Sequence, residues 1–300
     1  MLYCDTRMGG IENLIYGNLR EVKMRVPDNI QECVVFLCVK HNTKGDPPYT
    51  YHGTGFFLGM KSEKDPESEY AYLVTAKHCV ENAKNGGLDL YIRINTLDSV
   101  EYVEIRGEWI YSEKADVAVQ LLDLPDDKYD YTRLSENLIA TDEILTEYDI
   151  GIGDDIVIAG LFTRHYGTKR NIPIVRSGII AAMPVEPFVD LDTGEPYNAY
   201  LAELRSIGGL SGSPVFVYIN GRRRLADGRP VHNDMMFLIG LVRAHWDYKN
   251  SSRSIDFGGT ELDTVNMGIA LLTPIQEALT VLKREDLVKE RRQLDRNLTL

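Results

Sequence analysis

From Gln31 onward the chain is written in short apolar runs separated by turn-forming residues. Residues 33–39 are continuously apolar, the pattern of a strand buried on both faces. A run at 53–58 begins a hairpin whose tip (61–69) is charged and whose return arm is 70–75. Residues 90–94 and 102–106 alternate with period two, and 117–122 complete the set. A second series follows at 155–159, 174–180, 199–204, 215–219, 236–242 and 267–272. Short strands at this spacing predict an all-β barrel or sandwich rather than βαβ units. Between the two series, residues 125–141 carry no sustained period and read as a crossover. Thr273-Pro274-Ile275-Gln276 has the form of a capping box with proline at the first helical position, and Ile275, Leu279 and Leu282 recur at helical spacing. The expected organisation is an N-terminal arm over 1–30, which could hold a first short strand, a first β unit over 31–125 and a crossover over 126–142. A second β unit over 143–272 and a C-terminal helix over 273–300 complete it. No repeat or low-complexity tract interrupts this order.

Composition narrows the class. Three hundred residues, 44% of them hydrophobic, supply two cores of ordinary domain size. A net charge of −12 argues against a polyanion-binding surface, so no nucleic-acid partner is expected. Arg222-Arg223-Arg224 is read as a solvated loop. The first residues lack the apolar core of a signal peptide, and no run is long enough to span a membrane. Four irregularly spaced cysteines (Cys4, Cys33, Cys38, Cys79) suggest reduced thiols, which predicts a cytoplasmic protein with no membrane partner. They form no C-x-x-C, and the six histidines give no metal-ligand pair on one helix, so no metal and no cofactor are expected.

The chemistry gathers around Ser211. Gly208, Gly209 and Gly212 fall within five positions, and such a backbone can bend tightly and aim several N–H groups at one point. That suits a serine nucleophile whose oxyanion is met by the amides of Gly209 and Ser211. Alone, the stretch is equally an ordinary loop. Upstream, an apolar run ends in Thr75-Ala76-Lys77-His78-Cys79, and Ala115-Asp116-Val117-Ala118-Val119 sets a carboxylate before another. An imidazole can take the serine proton near neutral pH, and a carboxylate can fix its tautomer. Asp123, Asp126 and Asp127 compete for that role; Asp116 is preferred because the apolar residues after it would pin it at a barrel rim.

These three motifs, in this order, resemble those of chymotrypsin-fold (trypsin-like) serine endopeptidases, most closely the bacterial glutamyl-endopeptidase and HtrA types, over residues 30–280. The resemblance implies two six-stranded antiparallel β-barrels with a C-terminal α-helix on the second. It also implies a His78, Asp116, Ser211 triad acting on a protein or peptide substrate through an acyl-enzyme. An S1 pocket would come from 205–208 and 240–245, where Arg205 and Arg243 could favour an acidic side chain and His245-Trp246 resembles the His-Trp of glutamyl endopeptidases; the simpler reading has both arginines facing solvent or pairing with carboxylates. Two departures stand out. His52 holds the place of the cysteine that secreted relatives pair with the one at Cys79. Leu210 replaces the aspartate that digestive relatives place before the nucleophile, so any ordering of the oxyanion hole falls to the N-terminal arm, the 186–197 loop or an activating partner protein. A catalytically silent module that binds partners is the alternative, and the complete triad weighs against it. An α/β-hydrolase esterase is excluded, because its acid and histidine follow the serine in sequence.

Overall fold

The computed structural model describes residues 26–40, 48–65, 68–189, 194–204, 208–248 and 265–297. The first half forms β1 (Val34–Lys40), β2 (Tyr49–Lys61), β3 (Glu69–Thr75), β4 (Leu90–Asn95), β5 (Val100–Glu104), β6 (Ile110–Tyr111), β7 (Ala118–Leu121) and β8 (Leu134–Ser135). Their order in one sheet is β5-β4-β1-β2-β3-β7-β6, with β8 parallel to β2 and every other pair antiparallel. The continuous apolar run of β1 is buried along its length up to Lys40, as a central strand covered on both faces requires.

The second half forms β9 (Asp155–Gly160), β10 (Ile174–Ala182), β11 (Phe188–Val189), β12 (Pro196–Tyr197), β13 (Tyr200–Glu203), β14 (Pro214–Ile219), β15 (Met235–Tyr248) and β16 (Val265–Pro274). Six of them close into an antiparallel barrel, β10-β13-β16-β15-β14-β9, while β11 and β12 make a separate hairpin. The helices are α1 (Asn29–Glu32), α2 (Lys77–Asn85), α3 (Asp142–Glu147), α4 (Ile275–Leu282) and α5 (Glu285–Asn297). None of those among the described residues is long and apolar enough to cross a membrane.

The all-β expectation holds, but one closed barrel is found rather than two. Among the described residues the first-half sheet is open at β5 and β6. β6 is only two residues long, and after β5 the chain turns at Gly107 (φ 114°), where the Gln120 side chain donates to the Arg106 carbonyl at 2.7 Å. Edges this short leave little backbone with which to close a ladder. The single helix expected over 273–300 is also two. Thr273 lies buried in β16 opposite Leu241, so no capping box forms, and Pro274 instead precedes the first turn with extended backbone. The apolar face of α4 (Ile275, Ala278, Val281, Leu282), with Leu287 of α5, packs into the cluster that joins the first-half core to barrel residues such as Leu238 and Leu241 of β15. Polar contacts complete this docking: Arg291 donates to the Tyr72 hydroxyl at 3.0 Å, and Asp295 accepts from Ser62 and Tyr70 at 2.6 Å each.

Residues 29–32, spanning the end of the expected arm and the start of the first β unit, are helical, and residues 1–25, with Cys4, lie outside the described residues. Two further helices depart from the strand pattern, α2 directly after β3 and α3 capped by the Thr141 hydroxyl. The halves meet through polar groups as well as apolar ones. Arg93 of β4 is fully buried and donates to the carbonyls of Tyr166 (3.1 Å) and Gly167 (2.8 Å) after β9.

Candidate active site

β3 runs straight into α2 at the junction of the halves. Thr75 ends the strand, Ala76 stays extended (ψ 134°), and His78 falls in the first turn of the helix. The first backbone N–H groups of a helix lack partners within it. Asp116 serves one of them: its Oδ1 accepts from the His78 backbone N–H at 2.9 Å, while Oδ2 lies 2.7 Å from the ring Nδ1. One carboxylate therefore fixes both the main chain and the side chain of the histidine. Asp116 sits in a tight turn between β6 and β7, shaped by the Ser112 hydroxyl, which accepts from the N–H groups of Lys114 (3.3 Å) and Ala115 (3.1 Å). Val117, next in the chain, is fully buried and anchors the turn.

Burial alone would push the His78 pKa down. The Asp116 carboxylate and the Cys79 sulfur outweigh that effect, and the value is raised to about 10. Burial likewise disfavours the Asp116 anion, but the His78 ring and backbone N–H win, and its pKa is lowered. Arg243 adds to that lowering. The Asp116 side chain is 11% exposed and that of His78 38%, so the ring is the more exposed member of the pair.

Ser211 is carried by the loop between β13 and β14. Gly209 (φ 101°) and Gly212 (φ 83°) both take left-handed conformations that other residues avoid. Leu210 is fully buried in the barrel core. The turn closes on itself through Ser213 N–H to the Leu210 carbonyl at 2.9 Å and is tied to β15 through Gly212 N–H to the Val242 carbonyl at 2.7 Å. Among the described residues nothing accepts the N–H groups of Gly209 or Ser211, so both amides assigned to an oxyanion remain available.

Ser211, His78 and Asp116 line one cavity of about 710 Å³, with Arg243 and Tyr197 on its wall. The Asp–His contact is made. No hydrogen bond joins Ser211 to His78; the polar neighbour of His78 Nε2 is the Cys79 sulfur at 3.6 Å. Cys79 is a buried free thiol, and His52, at the position where secreted relatives carry its cysteine partner, instead places its Nε2 3.0 Å from the Cys79 carbonyl.

The remaining candidates divide. Arg243 faces the cavity, because the β15–β16 register shifts between Val242 and Ala244, and its guanidinium lies 3.8 Å from the centre of the Tyr197 ring. The 186–197 loop contributes Glu195, Pro196 and Tyr197 to the same cavity, part of it as the β11–β12 hairpin. His245 pairs along the backbone with Ala270; its side chain, and the whole of Arg205, lie outside the described residues. Within the arginine triplet, Arg223 pairs with Asp154 and Arg224 donates to the Gly228 carbonyl, away from this cavity. No motif marks Ser112 or Tyr197 in the sequence, and Thr54, whose hydroxyl donates to the Gly209 carbonyl, is flagged only by the flanking Gly53 and Gly55.

Compared with models of protein families and with curated protein sequences, the chain gives no match.

Proposed function

We propose that the protein is a serine endopeptidase that cleaves peptide bonds through an acyl-enzyme on Ser211. The observation that carries this reading is the 2.7 Å contact of His78 Nδ1 with Asp116, in a cavity that Ser211 also lines. In the proposed mechanism Ser211 Oγ attacks the scissile carbonyl while His78 Nε2 takes its proton. The N–H groups of Gly209 and Ser211 receive the oxyanion, and the imidazolium returns the proton to the leaving amine. Water then repeats the sequence on the acyl ester. Attack requires the imidazole to exchange the Cys79 sulfur for Ser211 Oγ as its Nε2 neighbour, an adjustment of the kind that substrate binding draws from resting sites. Asp116 keeps hold of the other ring nitrogen throughout.

On this reading the open sheet and the closed barrel are the two halves of a trypsin-like fold, with the cavity at their junction. The substrate is a protein or peptide, and Arg243 gives the S1 wall a cation that favours an acidic side chain before the scissile bond. An unpaired thiol at Cys79 suits a cytoplasmic setting. The second reading, a silent module that recruits partners, is favoured by one observation, the missing Ser211–His78 hydrogen bond. A fluorophosphonate probe separates the two: the peptidase labels at Ser211 and loses labelling in Ser211→Ala. A wild-type protein that stays unlabelled supports the silent module. Digestion of a peptide library, read by mass spectrometry, then reports the preferred side chain.

A further inference from the structure

Thr54, in the middle of β2, is completely buried and uses every polar group it has. Its N–H donates to the Ser211 carbonyl at 2.8 Å. Its hydroxyl donates to the Gly209 carbonyl at 2.7 Å and accepts from the Leu161 N–H at 3.0 Å. Its carbonyl accepts from the Thr75 hydroxyl at 2.7 Å. A single first-half residue thus grips the loop on either side of Leu210, the segment following β9, and the end of β3 three residues before His78. Gly212 completes the fit, since a Cβ there would collide with the Thr54 carbonyl and the Thr75 hydroxyl.

We propose that Thr54 is a positioning residue which sets the register between the Ser211 loop and the base across the junction of the two halves; the inference rests on the reading of Ser211 and His78 as nucleophile and base. The side chain matters because a hydroxyl can donate and accept at once. A valine has the same shape but would leave the Gly209 carbonyl and the Leu161 N–H buried without partners. The loop would then move to find other partners, and its two left-handed glycines make such movement easy. A displacement of about 1 Å between nucleophile and base can cost on the order of a hundredfold in rate.

The test compares wild type, Thr54→Val and Thr54→Ser by two measurements, each corrected for the folded fraction. One is the rate of Ser211 labelling by a fluorophosphonate. The other is amide hydrogen exchange at Gly212 and Ser213, with Val217 in β14 as the internal reference. We expect Thr54→Val to label about ten- to a hundredfold more slowly and Thr54→Ser to recover most of that loss. The two loop amides should exchange faster in Thr54→Val while Val217 does not change. Labelling of Thr54→Val at the wild-type rate overturns the inference, as does loosening of β14 to the same extent as the loop. If the wild type does not label but the loop alone loosens in Thr54→Val, the hold of Thr54 on the loop stands, while the nucleophile reading falls and takes the register with the base with it. If neither labelling nor local loosening occurs, both fall.

Discussion

Replacing Asp116 with Asn tests the site at its best-defined contact. Asparagine preserves the shape, and its carbonyl oxygen can still accept from the His78 backbone N–H, which the aspartate receives at 2.9 Å. The other terminal atom becomes an N–H donor facing Nδ1, 2.7 Å away in the native protein. Nδ1 must then present its lone pair, so the ring carries its proton on Nε2, the nitrogen that in the proposed mechanism takes one from Ser211. Because the helix-capping half of the interaction survives, the cost to folding should be small, about 1–2 kcal/mol for one charge-assisted hydrogen bond. The wrong tautomer should lower turnover by about 10⁴-fold, or about 5.5 kcal/mol of transition-state stabilisation. The assay is the rate of fluorophosphonate labelling across a pH series, with thermal unfolding measured on the same samples. Losing the carboxylate should also move the pH midpoint of labelling downward, since it is what raises the His78 pKa against burial. Labelling at the wild-type rate with an unmoved midpoint would refute the assigned role of Asp116.

Further outcomes follow from other contacts. Since a base must be unprotonated and the His78 pKa is raised above its ordinary 6.5 toward about 10, the proposed role of His78 predicts that kcat/KM rises with pH on the alkaline side of 6.5; a plateau already reached at pH 6 would remove His78 as the proposed base. The same pair sets a stability window. Its contribution, complete below 6.5 for the histidine, is lost as pH climbs through the raised value, and on the acid side it is lost as pH falls through the lowered pKa of Asp116, so unfolding free energy followed across pH should decline at both ends in wild type and less so in Asp116→Asn. Gly212→Ala should destabilise by about 2–4 kcal/mol, because it meets backbone and requires a left-handed residue. Gly208→Ala, with nothing within 4 Å of its Cβ, should stay within about 0.5 kcal/mol in chemical denaturation. Asp295→Ala should cost about 1–3 kcal/mol, since it strips acceptors from the Ser62 and Tyr70 hydroxyls, and a melting temperature equal to wild type would exclude that docking role.

How much was legible in the sequence depended on the range of the forces involved. The apolar runs at 34–39 and 215–219 fall in strands because alternation and β-branched content are local properties that survive any tertiary arrangement. Order along the chain and the chemistry of three short motifs also pointed to His78, Asp116 and Ser211, and the structure places these three on one cavity. Local pattern failed where an element's fate depended on a distant partner. The amphipathic stretch beginning at Ile275 reads as a helix from its spacing, but only packing decides which core receives it, and it entered the cluster that joins the first half to Leu238 and Leu241 of β15. Strand count alone does not settle whether a sheet closes, because closure needs edges long enough to pair, and β6 has two residues.

The sequence by itself determined which residues are apolar, where the backbone can turn left-handed at Gly209 and Gly212, and which side chains can trade a proton. The tertiary structure decided what those capacities are joined to. It set Asp116 against both the ring and the helix start of His78, turned Nε2 toward Cys79, and hung the Ser211 loop on Thr54. The physical reason is range: propensity and periodicity act over a few residues, whereas a hydrogen bond between positions 54 and 209 exists only once two separately built cores have packed together.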